Sequence, residues 1–280
     1  MTIADLLLTW YRAHGRNLPW RQTTDPYAIL VAEVMLQQTQ VDRVIPKYEA
    51  WLEAFPNWKA LSEAPRSDVL KFWSGLGYNN RAVRLHELSK VVVEELGGEL
   101  PKTEDELVKL PGIGPYTAGA IVAFAYNKPG KCIDVNVERI MKRLFFSRRQ
   151  EISKSAVERF FLASYPRNAR AYANALMDFG SLICTASKPM CDSCPLYDEC
   201  KSRGEREEEK EERAKKRQSR FLHSNRWWRG QILKGLNQGV KSEESLRSLI
   251  GHENRQAFQR ALGELERDGL VVRRDNTLTF

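Results

Sequence analysis

No apolar run in these 280 residues approaches the roughly 18 that a membrane-crossing helix needs, so no spanning helix is expected. A secretory leader is not expected either. The opening stretch, residues 1–16, carries Asp5 early and is followed by no small-residue cleavage site. It reads instead as an amphipathic helix with Ile3, Leu7, Trp10 and Tyr11 on one side, and a soluble intracellular protein is expected. Alternating β-branched runs are few over residues 1–200, which excludes a sheet-dominated fold there. Cysteine is scarce, at 5 residues, and without a leader a disulfide framework is not expected. The hydrophobic fraction of 42% excludes a disordered or collagen-like chain.

What is present is a moderate positive balance: 44 Lys+Arg against 36 Asp+Glu, net +8. That suits ordinary solubility and a polyanionic partner equally. The cysteines say more. Cys184, Cys191, Cys194 and Cys200 are spaced C-x6-C-x2-C-x5-C, a compression that points to a metal centre. Four thiolates suit tetrahedral zinc or a [4Fe–4S] cluster, and spacing alone separates neither. Four ligands close the site, so its role is structural or electronic. The fifth, Cys132, reads as a small buried apolar residue.

Helical periodicity runs through Tyr27–Gln38, Val44–Ala54, Arg66–Trp73, Ala82–Leu96, Thr103–Leu110, Thr117–Ala125, Val135–Phe146, Ser153–Ser164 and Arg170–Ile183, with Pro46 expected in a first turn. Residues 201–220 hold nine basic and six acidic residues and almost nothing apolar, so 201–225 is expected to be a charged linker. From Arg226 the pattern is globular again: Trp227, Ile232, Leu233 and Leu236 share a helical face. Helices Glu243–Ile250 and Asn254–Arg267 follow, and then two short strands flank Asp275-Asn276. Three helices and a hairpin is the order of a winged helix-turn-helix, a domain used for DNA or for protein contacts.

Three features carry chemistry. Leu110-Pro111-Gly112-Ile113-Gly114-Pro115-Tyr116 interrupts two helices: Pro111 ends the first, and Gly112 and Gly114 allow close backbone approach. The first amides of the next helix face outward as an anion site. This helix–hairpin–helix pattern suits a DNA phosphate. Second, Glu33 is the only charged residue in Ala28–Leu36. A helix apolar nearly all round is buried, and burial raises a carboxyl into the range of a proton donor at neutral pH. A structural Glu satisfied by core hydrogen bonds is the plain alternative. Third, Asp134 precedes a helix, where it is a natural N-cap. A carboxylate held by helix amides stays ionised. An ionised Asp opposite a protonated Glu is suited to breaking a glycosidic bond through an oxocarbenium-like sugar.

Together, Glu33, the hairpin, Asp134 and the four-cysteine loop resemble the helix–hairpin–helix base-excision DNA glycosylase superfamily, which includes endonuclease III, over about residues 15–200. Leu18-Pro19-Trp20-Arg21, Glu33–Val41 and Gly75-Leu76-Gly77-Tyr78 are similar to the MutY-type adenine glycosylases in particular. The resemblance implies a mainly α, two-lobed fold. Residues 22–131 would form a six-helix barrel domain with the hairpin. Residues 1–21 and 132–200 would form an iron–sulfur domain whose cysteines hold a [4Fe–4S] cluster, and 226–280 a small winged-helix domain. It implies a monomer in the cytoplasm, on the nucleoid, acting on mismatched double-stranded DNA. Bifunctional relatives place a Schiff-base lysine where this chain has Tyr116, so a monofunctional enzyme is implied. The roles carried over are Glu33 as acid toward N7 of a flipped adenine, Asp134 as stabiliser of the sugar cation, electrostatically or through a transient covalent bond, and Tyr116 in support. Trp20, Arg21, Gln38 and Asn174 would face the base. Gln37 and Tyr78 would wedge the strand left behind, and Gly112 and Gly114 would meet the backbone.

The chain departs from the family at Asn79-Asn80, where a second aromatic is common, and at Asn174, where the residue tends to read the base edge. It departs too in having Arg226–Phe280 where a nudix-like domain is usual. These departures bear on preference for adenine opposite 8-oxoguanine or guanine. The rivals are a thymine or uracil glycosylase acting opposite guanine and a non-catalytic DNA-binding protein of the same fold.

Overall fold

The computed structural model describes residues 1–146, 151–204, 221–251, 254–275 and 277–280. Most of the expected linker, and Asn276 of the expected turn, lie outside these. In chain order the helices are α1 (Ile3–His14), α2 (Pro26–Leu36), α3 (Val41–Ala54), α4 (Trp58–Glu63), α5 (Arg66–Trp73), α6 (Asn80–Glu94), α7 (Glu104–Leu107), α8 (Pro115–Phe124), α9 (Val135–Phe145), α10 (Lys154–Ala163), α11 (Ala169–Leu182), α12 (Asn225–Asn237), α13 (Glu243–Ile250) and α14 (Arg255–Arg267). Strands β1 (Val272–Arg274) and β2 (Thr277–Thr279) pair antiparallel, Val272 against Thr279. None of the described helices is long and apolar enough to cross a membrane.

The chain divides into two compact units. One holds Met1–Val41 and the chain from Leu96 to the charged segment; the other holds Asp42–Glu95 and the C-terminal residues. In the first, α2 packs on α8, and α11 packs on α1, α8 and α9. Helices α2 and α8 are buried on nearly every face, as their apolar sequences require. Both begin with proline at the first helical position, where its missing N–H costs nothing. The seam between α8 and the following strap is backbone on backbone. A Cβ on Gly119 would lie 2.5 Å from the carbonyl carbon of Lys131, and one on Gly130 would lie 2.2 Å from the Gly119 carbonyl oxygen. Only glycine permits that approach. Cys132 is buried, as its sequence context predicts, and its thiol lies 3.3 Å from the Tyr165 hydroxyl, which donates to Gly130 O at 2.8 Å.

In the second unit α6 packs on α4 and α5, over a core that includes the fully buried Trp51 and Trp73. Pro46 sits inside α3 rather than in its first turn, because the helix starts earlier, at Val41. Helix α4, absent from the periodicity reading, is one and a half turns capped by the Asn57 side chain. Helices α12, α13 and α14 pack together, with Trp228 rather than Trp227 in the core. The Ser224 cap sets the start of α12 and hence its phase.

Candidate active site

Glu33 lies in the last turns of α2, only 8% exposed. Burial raises its carboxyl to about 7; a Tyr116 hydrogen bond opposes that rise, the nearby Asp134 adds to it and Arg21 lowers it. The same four groups therefore share one electrostatic environment. Tyr116 stands in the first turn of α8, directly after the hairpin. Burial first, and then the neighbouring Glu33, push its phenol well above the ordinary value, so it remains a neutral hydroxyl donor.

Asp134 caps α9. Its Oδ1 accepts from the amides of Asn136 at 2.9 Å and Val137 at 2.7 Å, and its Oδ2 from Asn136 Nδ2 at 2.8 Å. Asn136 is held in turn by Arg139, whose guanidinium also donates to Gly180 O at 2.7 Å and Cys184 O at 2.8 Å. Capping and facing Glu33 are thus one arrangement.

These side chains line a cavity of about 410 Å³, within the range of small-ligand sites. Trp20, Arg21, Glu33, Gln37, Tyr116, Asp134 and Asn174 are all on its wall. Trp20 comes from a single turn of 3-10 helix, Pro19–Arg21. Asn174 is buried on α11, lines the cavity, and donates its amide nitrogen to Arg170 O at 3.1 Å. Gln38, at φ 58°, is exposed and not on the wall; its neighbour Gln37 is. The reading from sequence did not single out Arg16 and Arg170 on the wall, or Asp178 behind it, whose partners lie far away in sequence. It also passed over Asn136 on the wall, although its partners Asp134 and Arg139 are local.

The hairpin turns through Gly112 at φ 79°, a left-handed conformation that favours glycine, and Gly114 caps α8 from an exposed position. In the other unit Tyr78 is 49% exposed with φ 47°. The Arg81 guanidinium lies 5.6 Å from its ring and 5.2 Å from that of Trp73, and donates to Leu76 O and Gly77 O.

The four clustered cysteines are half-buried and are not joined in disulfides. Cys194 is pushed up to about 11, by burial first and also by Cys184, Cys200 and Cys191. Among the described residues no three metal-binding side chains are gathered tightly enough to hold a single ion. The loop is sewn to α9: Arg143 donates to Thr185 O and Ala186 O, and Lys201 N and Ser202 N donate to Leu144 O and Arg143 O.

A family model described as HhH-GPD superfamily base excision DNA repair protein matches residues 31–167. An adenine DNA glycosylase of Buchnera aphidicola subsp. Baizongia pistaciae is 38% identical over 70% of this chain and 57% of its own. One of Mycolicibacterium smegmatis is 40% identical over 68% of this chain and 66% of its own. The chain thus spans less than two thirds of these curated relatives. Among solved structures, a thermostable thymine-DNA glycosylase superposes with a TM-score of 0.67 at 30% identity, over 71% of this chain and 93% of that one.

Proposed function

Because the chain belongs to the HhH-GPD superfamily of base excision DNA repair proteins, we propose that it is a monofunctional DNA glycosylase that removes adenine mispaired with 8-oxoguanine or guanine. One observation carries the reading: a buried carboxyl raised to about 7 shares a cavity with a second carboxylate held by three donors. Neither is needed for DNA binding alone.

The mispaired adenine leaves the duplex and enters the cavity, its edge facing Asn174 and Arg21 and its ring Trp20. Glu33 gives its proton to N7. The electron pair of the C1′–N9 bond moves into the base as that bond breaks, and positive charge develops on the sugar. Asp134 stabilises that charge while Tyr116 donates to the newly ionised Glu33. The Glu33 carboxylate then takes a proton from the water that adds to C1′, which restores the acid. Tyr116 occupies the position after the hairpin that an amine nucleophile would need, so no imine forms.

The hairpin amides around Gly112 and Gly114 hold a backbone phosphate. Gln37 occupies the space the base leaves, and the exposed Tyr78 ring of the other unit is read as a DNA contact. We assign a [4Fe–4S] cluster to Cys184, Cys191, Cys194 and Cys200: four soft thiols in one loop, three of which act on Cys194, suit it. When bound it pins the loop that α9 holds. Helices α12–α14 with β1 and β2 are read as a winged-helix domain.

A second reading, thymine or uracil excision opposite guanine, draws on the 30% identity to a thymine-DNA glycosylase. Base release from A:8-oxoguanine, A:G, T:G and U:G duplexes separates the two. Free adenine is expected; release from the pyrimidine duplexes alone overturns the adenine assignment.

A further inference from the structure

Asp178 has no part in the reaction described above, yet four hydrogen bonds converge on its carboxylate. It lies on α11, one turn beyond Asn174, and its side chain is 0% exposed. Its Oδ2 accepts from the Arg16 amide at 2.8 Å and Arg21 Nη1 at 2.7 Å. Its Oδ1 accepts from Arg16 Nε at 2.7 Å and Arg21 Nη2 at 2.9 Å. Arg21 adds a bond to Arg16 O at 3.0 Å. Four donors satisfy a buried carboxylate, and the planar guanidinium of Arg21 engages both oxygens at once. Burial alone would push Asp178 up, but the arginines hold it below its usual value.

Arg16, Leu18, Trp20 and Arg21 all line the cavity, and the bonds from Arg16 and Arg21 tie this stretch to a fully buried charge on α11. The charge count matters too. Two cations face one anion, and Arg21 acts on Glu33. The other groups acting on Glu33 are Tyr116 from α8 and Asp134 before α9, and Glu33 in turn pushes up the thiol of Cys132 in the strap. Tyr11 of α1 lies 5.8 Å from the Arg21 guanidinium and remains a neutral phenol.

We propose that Asp178 is a positioning residue that pins Arg16 and Arg21 into the cavity wall, and so fixes both the base-facing segment 16–21 and the net positive charge that Glu33 senses. The inference rests on Glu33 being the proton donor. Asp178→Asn keeps the shape but cannot accept all four donors, and it leaves both arginines uncompensated. Additional positive charge favours ionised Glu33, which lowers the pH above which the acid is lost. Arg16→Gln does the opposite: Asp178 and Arg21 then pair one to one, and Glu33 holds its proton to higher pH.

The test follows Glu33 itself, through the protonated-carboxyl band in infrared difference spectra that Glu33→Gln lacks, beside the pH–rate profile of the wild type and both variants. The profile uses whichever mismatched duplex the wild type excises, so failure of the adenine reading is not mistaken for failure of this one. Asp178→Asn is expected to move the midpoint down by about one pH unit and slow excision on the order of tenfold or more. Arg16→Gln is expected to move the midpoint up by less, because Arg16 is partly exposed to solvent. Asp178→Glu, which keeps the charge, is expected to restore the midpoint. Unmoved midpoints, or shifts of both variants in one direction, overturn the proposal. If Asp178→Asn does not fold, the Arg16→Gln shift alone decides by the same criterion.

Discussion

At Glu33 catalysis and folding make opposed demands. Its carboxyl is raised by burial from 4.5 to about 7, so between those values the folded protein keeps a proton that the unfolded chain has released. The stability associated with this residue is therefore fully present below about pH 4.5, declines as pH rises, and is lost above about pH 7. The gap corresponds to about 3 kcal/mol. Glu33→Gln removes that penalty while keeping an oxygen to accept from Tyr116. The variant is expected to unfold at higher temperature than the wild type at pH 8, with little difference at pH 4. Excision is expected to slow by on the order of a thousandfold, with duplex affinity nearly unchanged. Thermal melts at the two pH values, with single-turnover base release, check this. Equal melting at pH 8 would mean that Glu33 is not held as the neutral acid.

Among the elements, the pairing of α8 with the 130–134 strap sets the distance between Tyr116 and Asp134. Because a Cβ at Gly119 would meet the Lys131 backbone at 2.5 Å, Gly119→Ala must displace the strap, and Asp134 lies three residues further on. Its expected cost is about 1–3 kcal/mol of stability and a fall in excision rate larger than any loss of duplex binding. Gly263→Ala, on α14 with nothing within 4 Å of the added carbon, is the matched control and is expected to be neutral or slightly stabilising. An unaffected rate in Gly119→Ala would show that the seam does not govern the pair. This is also the scale at which reading from sequence reaches its limit. The burial of Glu33 was legible because Ala28–Leu36 is apolar on every face, and the hairpin because Pro111, Gly112 and Gly114 have few other uses between helices. Asp134 was legible as a cap because its partners lie two and three residues away. Asp178 was not: its partners lie 157 and 162 residues distant, and nothing in the local pattern of α11 distinguishes a clamped aspartate from a solvated one. At α12 the sequence pattern puts Trp227 in the core and the structure has Trp228, because a helix phase read without its Ser224 cap can slip by one residue.

For the whole molecule, the four-cysteine loop has few resources of its own. It contains one short 3-10 turn, Cys191–Ser193, and is anchored mainly to α9 through Arg139, Arg143 and the amides of Lys201 and Ser202. Both of those arginines donate to carbonyls of the loop, and α9 is capped by Asp134. A group bound by all four thiols would therefore stabilise the loop, the last turn of α9 and, through Arg139 and Asn136, the Asp134 carboxylate. The protein isolated without added metal is expected to contain iron and acid-labile sulfide in equal amounts. Cys191→Ser, remote from the cavity, is expected to lose both and to melt at lower temperature, with base release reduced more than far-ultraviolet helicity. Structural metal sites of this kind supply much of the folding energy of the segments they hold. Metal analysis checks the assignment directly: stoichiometric zinc with no sulfide would replace the cluster by a tetrahedral ion, and a Cys191→Ser protein with unchanged melting would remove the loop's stabilising role altogether.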